Sequence, residues 1–209
     1  MLVLGINTVG ADCDAAVFTD EGVAFVCSEP MAQGHDARLA IVVQNVMREA
    51  GRTFQEIDRI AVVAGPGSFT GVRVGVAFAR GLALALDRPA VGVTSLEAVA
   101  ARSGRGRILA ALPARRRLPD LSWWAQIIEN GQGQGEPVEA DARKLVEMAT
   151  GVEVVLGDGL PNWDFQRPQR AGRPSAINAA LWVSRLEGEL PPARPIYVRE
   201  PDATPMAPA

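Results

Sequence analysis

The sequence predicts an α/β fold built from two related halves, and three observations carry that reading. Short β-branched runs open the chain in hairpin succession, strands and amphipathic helices then alternate up to about residue 102, and a weaker series of the same kind follows a glycine-rich break. With 48% hydrophobic and 22% charged residues, the 209-residue chain can bury a substantial core in one domain or two small ones.

Leu2 to Thr8, Cys13 to Thr19 and Gly22 to Ser28 read as strands, the last two joined by an Asp20-Glu21-Gly22 turn. Between the first two lies Asn7-Thr8-Val9-Gly10-Ala11-Asp12, whose polar side chains suit either a phosphate-facing loop or an ordinary turn. His35 and Asp36 open a helix in which Leu39, Val42, Val43, Val46, Met47 and Ala50 share one face, closed by Gly51. His35 reads as a cap or surface residue. Thr53 and Glu56 have capping-box spacing.

Arg59 to Ala64 is then a buried strand that ends in Gly65-Pro66-Gly67-Ser68-Phe69-Thr70-Gly71. Gly65 and Gly67 are expected to take backbone conformations closed to other residues, and Ser68 or Thr70 to cap the following helix. A helix start aimed into a crevice can hold an anion, which makes Asn7, Thr8, Gly65, Gly67, Ser68 and Thr70 the candidate phosphate-facing residues. The dinucleotide fingerprint fails for want of a glycine at Thr70, and the Walker loop for want of its Lys-Ser/Thr pair.

The helix from Gly71 to Leu86 is apolar nearly all round. Gly71, Gly75, Phe78, Leu82 and Leu86 are expected to meet the sheet; Val76, Ala77, Ala83 and Leu84 flank Arg73 and Arg80 on the outward side. Gly71, Gly75, Ala79 and Ala83 keep one strip thin enough for a neighbouring backbone. Either a partner or the chain's own second half can cover the outer face.

Pro89 to Val93 reads as a strand, and Thr94-Ser95-Leu96-Glu97 as a capping box opening a helix to about Arg102. Three hairpin-connected strands followed by alternating helices and strands is the order of the actin-like, ribonuclease H-like half-domain. The domain boundary is placed at Ser103-Gly104-Arg105-Gly106, giving halves 1–103 and 107–200 and a disordered tail, 201–209. In the second, abbreviated half, Arg107 to Leu112, Leu121 to Ile128 and Val152 to Leu156 read as strands, and Ala140 to Thr150 and Ala176 to Glu187 as helices. Asn130 to Glu136 reads as a glycine-rich connection. Arg115-Arg116-Arg117 is either a solvated loop or a contact for RNA phosphate, and Trp123 and Trp124 should point to opposite faces of one strand.

The single histidine, His35, excludes metal catalysis through paired imidazoles. A net charge of -3 argues against a major nucleic-acid binder. Two cysteines are too few for a disulfide framework, the chain opens without a basic leader, and the longest apolar stretch is too short for a bilayer; together these predict a cytoplasmic protein away from membranes.

The run Gly65-Pro66-Gly67-Ser68-Phe69-Thr70-Gly71-Val72-Arg73, with Gly5-Ile6-Asn7-Thr8 before it and Pro195-Ile196-Tyr197-Val198-Arg199 near the end, resembles the TsaB (YeaZ) family. The resemblance is close to about Ala100 and returns near Tyr197. It implies an actin-like (ASKHA) fold and a non-catalytic partner in the threonylcarbamoylation of adenosine beside the anticodon of tRNA, with no catalytic or metal-binding residues of its own. It further implies a heterodimer with the TsaD-type transferase, joined by the TsaE-type ATPase and reaching tRNA through the complex. The helices matching His35 to Ala50 and Gly71 to Leu86 would form the interface, which places Leu39, Val43, Arg73, Val76, Ala77, Arg80, Ala83 and Leu84 there. No cofactor is expected of the chain itself. ATP or ADP at the complex interface and a homodimer of the free protein stay open. Two positions depart from the family pattern: Asn7 stands where Asp is usual, and Pro113 where an Asp-Ala-Arg strand end is usual. The rival reading is a stand-alone actin-like ATPase or phosphotransferase, which would need an Asp on the first loop to hold hydrated Mg²⁺. A peptidase lacks its Ser-His or metal-His set.

Overall fold

The computed structural model describes all residues except 32, 105, 116–120, 161–164 and 199–209. Its centre is β1 (Leu2–Asn7), which pairs antiparallel with β2 (Asp12–Thr19) and parallel with β4 (Arg59–Val63). With β3 (Ala24–Pro30) beyond β2 and β5 (Ala90–Val93) beyond β4, the first sheet has the order β3-β2-β1-β4-β5. Every residue of β1 is buried, as a strand covered on both faces must be. One cover is the pair α1 (His35–Glu49) and α2 (Phe69–Leu86). The other is α5 (Ala176–Ser184), which comes from the far end of the chain.

The second sheet repeats the plan. Its strands are β6 (Arg107–Arg115), β7 (Ser122–Glu129), β8 (Gln132–Ala140), β9 (Val154–Gly157) and β10 (Gln169–Ala171), in the order β10-β9-β6-β7-β8. α4 (Ala142–Met148) follows β8, and α3 (Ser95–Ala100), the last helix of the first half, packs on this sheet. The halves thus exchange their closing helices. Leu96, Val99 and Ala100 join a core with Ile108 and Ile128, while Ala179, Ala180 and Val183 join the core of the first sheet. Through α5, the 107–200 segment supplies a wall of the first half.

Gly5 permits this arrangement: a Cβ there would lie 2.0 Å from the carbonyl oxygen of Ala176, so the first turn of α5 rests directly on β1. The capping box at Thr94 forms as expected, Glu97 accepting from the Thr94 N–H at 3.0 Å and Thr94 Oγ1 from the Glu97 N–H at 2.9 Å. Two strands depart from the sequence reading. The supposed connection from Asn130 to Glu136 lies largely within β8, and β10 adds an edge strand. Arg116, Arg117, Arg199 and the 201–209 tail lie outside the described residues.

α2 is 18 residues long and, by length and composition alone, apolar enough to cross a membrane. Here it is a wall of the first half, with Gly71, Val72, Gly75, Val76 and Ala79 buried.

Candidate functional site

The glycine turn after β4 is fixed from three sides. Gly65 has φ +105 and precedes a cis peptide to Pro66, which settles the expectation for that glycine. Gly67 does not: its φ is not positive, and what it needs is space, since a Cβ would sit 2.8 Å from Val9 Cβ. The Ser68 N–H donates to Val9 O at 3.1 Å, and Ser95 Oγ donates to Pro66 O at 2.7 Å. Ser68 is the N-cap of α2, its Oγ accepting from the Gly71 N–H at 3.3 Å; Thr70 is exposed in the first turn.

The first loop is used inward. Thr8 is fully buried and donates through Oγ1 to Gly71 O at 2.7 Å. A Cβ on Gly71 would lie 2.0 Å from Thr8 O, and one on Gly75 2.5 Å from Thr8 Oγ1. The thin strip of α2 therefore receives the chain's own first loop. Asn7 Nδ2 donates to Asp14 Oδ1 at 2.6 Å and to Pro174 O at 3.4 Å, while its Oδ1 accepts from the Val9 N–H at 3.2 Å. Both polar ends of Asn7 are occupied within the fold.

Asp14, which the sequence did not single out, completes this arrangement. It is buried, and its Oδ2 accepts from the Ala176 N–H at 2.6 Å, at the start of α5. Burial pushes its carboxyl up to about 6, against the Ala176 N–H and the Asn7 amide, and Asp12 adds a smaller push in the same direction.

Beside this pair, a cleft of about 190 Å³ opens between the halves. Asn7 and Gly67 line it from the predicted set; Thr8, Gly65, Ser68 and Thr70 do not. Asp12, Trp124, Asp158 and Arg173 line it too, with Arg173 Nε 3.1 Å from Asp158 Oδ2. Pro113 stands at the cleft as well, where the resemblance would place an aspartate. Trp123 is in the second core and Trp124 at the cleft, the opposite faces expected of them.

The outer surface of the first half corrects the interface reading. Leu39 and Val43 are each 1% exposed and Val76 is 2% exposed, so all three are core. The outward direction of α2 lies further round, through Arg73, Ala77, Arg80, Gly81, Leu84 and Ala85; Ala83 is half-buried. Leu84 is 87% exposed. On α1, Ala37, Ala40, Ile41 and Gln44 are exposed, together with the charged Asp36, Arg38, Arg48 and Glu49. Among the described residues, the second half reaches this surface at Arg73, through Tyr197, and leaves Ala77, Arg80 and Leu84 exposed. His35, read as a cap or surface residue, is neither: it is buried, the N-cap of α1 is Gly34, and its Nε2 has no hydrogen-bond partner among the described residues.

Similarity to known proteins now places the chain. A family model described as tRNA N6-adenosine threonylcarbamoyltransferase, TsaD, matches residues 26–118. Over 173 residues the chain is 33% identical to the tRNA threonylcarbamoyladenosine biosynthesis protein TsaB of Escherichia coli, an overlap of 78% of this chain and 74% of that one. The chain belongs to the TsaB family. A Pseudomonas aeruginosa crystal structure described as similar to the peptidase YEAZ matches with a TM-score of 0.72 and 27% identity, over 95% of this chain and 99% of that one. A ROK hexokinase of Thermus thermophilus matches with a TM-score of 0.54 at 16% identity, over 87% of this chain and 96% of that one, a likeness of fold alone. The TsaB family and the actin-like fold inferred from the glycine turn and the strand order both stand.

Proposed function

We propose that this chain is the non-catalytic partner subunit in forming threonylcarbamoyladenosine in tRNA, and that it acts in the cytoplasm by docking on a TsaD-type transferase. Membership of the TsaB family supports the pathway, and one structural observation supports the mode of action: Leu84, almost fully exposed, lies in a stripe with Ala77 and Gly81 on α2, and Ile41 is exposed on α1. Small side chains around one projecting leucine suit helix-on-helix docking, in which close backbone approach and one apolar knob supply the contact. In this reading a TsaE-type ATPase joins the pair, and tRNA and any nucleotide meet the complex rather than this chain alone.

The test is Leu84→Arg. The side chain is already in water, so monomer stability should change by about 0.5 kcal/mol or less. In the docked state an unpaired guanidinium enters an apolar seam, and affinity for the TsaD-type subunit should fall by about a hundredfold or more. Normal co-elution of the variant would place the interface elsewhere. Val76→Arg cannot serve, because Val76 is core.

The stand-alone phosphotransferase reading finds less support. Asn7 and Asp14 spend their polar atoms on each other, on Val9 and on residues 174 and 176.

A further inference from the structure

Arg73 is oriented at the surface by two aromatic side chains, while part of its donor set has no partner among the described residues. Its guanidinium carbon lies 3.8 Å from the centroid of the Phe69 ring, and its Nε donates to the Tyr197 hydroxyl at 3.1 Å. The Phe69 and Tyr197 rings are 5.0 Å apart. Two distant pieces of chain build this cluster, the first turns of α2 and the segment 195–198, whose Ile196 N–H donates to Ala64 O at 2.8 Å. Among the described residues no carboxylate pairs with Arg73, and neither Nη has a partner. A stacked, oriented guanidinium with both Nη groups free presents the planar donor pair that a carboxylate accepts.

The location narrows the occupant. Arg73 heads the outward stripe that continues through Ala77, Arg80 and Leu84. A second helix laid on that stripe would strip water from the guanidinium, and an unpaired charge there would oppose docking. We propose that Arg73, walled by Phe69 and Tyr197, is the receptor for one carboxylate side chain of the docking subunit, a charged anchor at one end of an otherwise apolar seam. This rests on the docking reading above. An RNA phosphate fits less well, because tracking a nucleic-acid backbone takes several cations, while the stripe offers two arginines on a chain of net charge -3.

The experiment measures affinity for the TsaD-type subunit by titration calorimetry, at about 0.05 and 0.5 M salt, with melting temperatures recorded alongside. Arg73→Ala should weaken binding by about tenfold or more at low salt, with a smaller penalty at high salt, and Arg73→Lys should restore little because it lacks the planar donor pair. Tyr197→Phe, which keeps the ring and loses the hydroxyl that aims Nε, should cost about threefold without altering the melting temperature. Arg73→Ala within twofold of wild type, in a series where Leu84→Arg abolishes binding, would leave the docking reading intact and refute the receptor. Undisturbed binding by Leu84→Arg would remove both. Arg73→Ala that lowers tRNA affinity with protein affinity unchanged would reassign the site to RNA phosphate. Tighter partner binding by Glu200→Gln would make the chain's own carboxylate the occupant and overturn the proposal.

Discussion

Asn7 Nδ2 and Asp14 Oδ1 face each other across the first hairpin at 2.6 Å, with the second oxygen of Asp14 on the first N–H of α5. This contact joins the first loop to a helix more than 160 positions later in the chain, and it changes what a substitution at Asn7 should do.

On a polar loop the two residue types are near-isosteric, and Asn7→Asp would be tolerated. In the structure it places a second carboxylate oxygen where the donor stood. Two carboxylates at that distance cannot both ionise, so one must hold a proton that the unfolded chain releases. Stability at neutral pH should therefore fall, by an amount on the order of 3 kcal/mol or about 10 °C in melting temperature, and the deficit should shrink toward pH 5 as the shared proton binds. Asn7→Asp combined with Asp14→Asn restores a donor opposite an acceptor and should recover much of the loss. Equal melting temperatures for Asn7→Asp and wild type at both pH values would contradict this.

Asp14 should leave a signature in the wild type as well. Its carboxyl is raised from 3.8 to about 6 in the fold, so the folded state holds the proton more tightly than the unfolded one. The stabilising contribution of that proton is fully present below about pH 4 and is lost as pH rises through 6. Asp14→Asn keeps an acceptor for the Ala176 N–H and abolishes the titration. Melting temperature against pH should therefore have a slope between pH 4 and 7 that the variant lacks. Parallel curves for the two proteins would show that Asp14 does not titrate differently on folding.

Two glycines of α2 should respond in opposite directions to the same change. Gly71→Ala drives a Cβ to 2.0 Å from Thr8 O, a backbone atom with little room to move, and should lower the melting temperature despite the better helix propensity of alanine. Gly81→Ala meets nothing within 4 Å and should raise stability by about 0.5–1 kcal/mol. Thermal melts of the pair decide it; similar losses in both would mean that α2 does not lie on the first loop as described.

The isolated protein should show no ATP turnover approaching about 1 per second, a common lower value for enzymes. At position 7, where the resemblance would place an aspartate, it carries an amide that is already bound within the fold, which leaves Asp12 as the carboxylate of the first loop at the cleft. Hydrolysis that persists through rigorous purification and is lost with Asp12→Asn would require a metal site in the cleft.

Periodicity and turn chemistry made most of the first half legible, since local residues decide local structure there: the β1 run, the Leu39-to-Met47 face and the Thr94-Glu97 box all form. The inward face of α2 is as expected, with Gly71 and Gly75 buried and Phe78, Leu82 and Leu86 packed partly buried against the first core, but it is wider than the spacing indicates: Val72, Val76 and Ala79 are buried too, because the first turns lie on both the sheet and the first loop. β8 was hidden because Gly133, Gly135 and Pro137 are poor strand residues, tolerated on an edge strand; a Cβ on Gly133 would also collide with the Gln126 side chain. Asp14 and the Arg73-Tyr197 contact could not be read from spacing, because each depends on a segment far away in sequence.

The exchange of α3 and α5 between the two sheets has a consequence during synthesis. A ribosome releases the first sheet early, with one face sealed by α1 and α2, but the helix that seals the other face ends at Ser184. Until α5 emerges, the bare side of β1 and β4 exposes apolar surface, a state open to chaperone capture or misassociation. The first half should therefore not mature ahead of the second as separate modules do: both close in one late, cooperative event, when the last helix returns to the first strand.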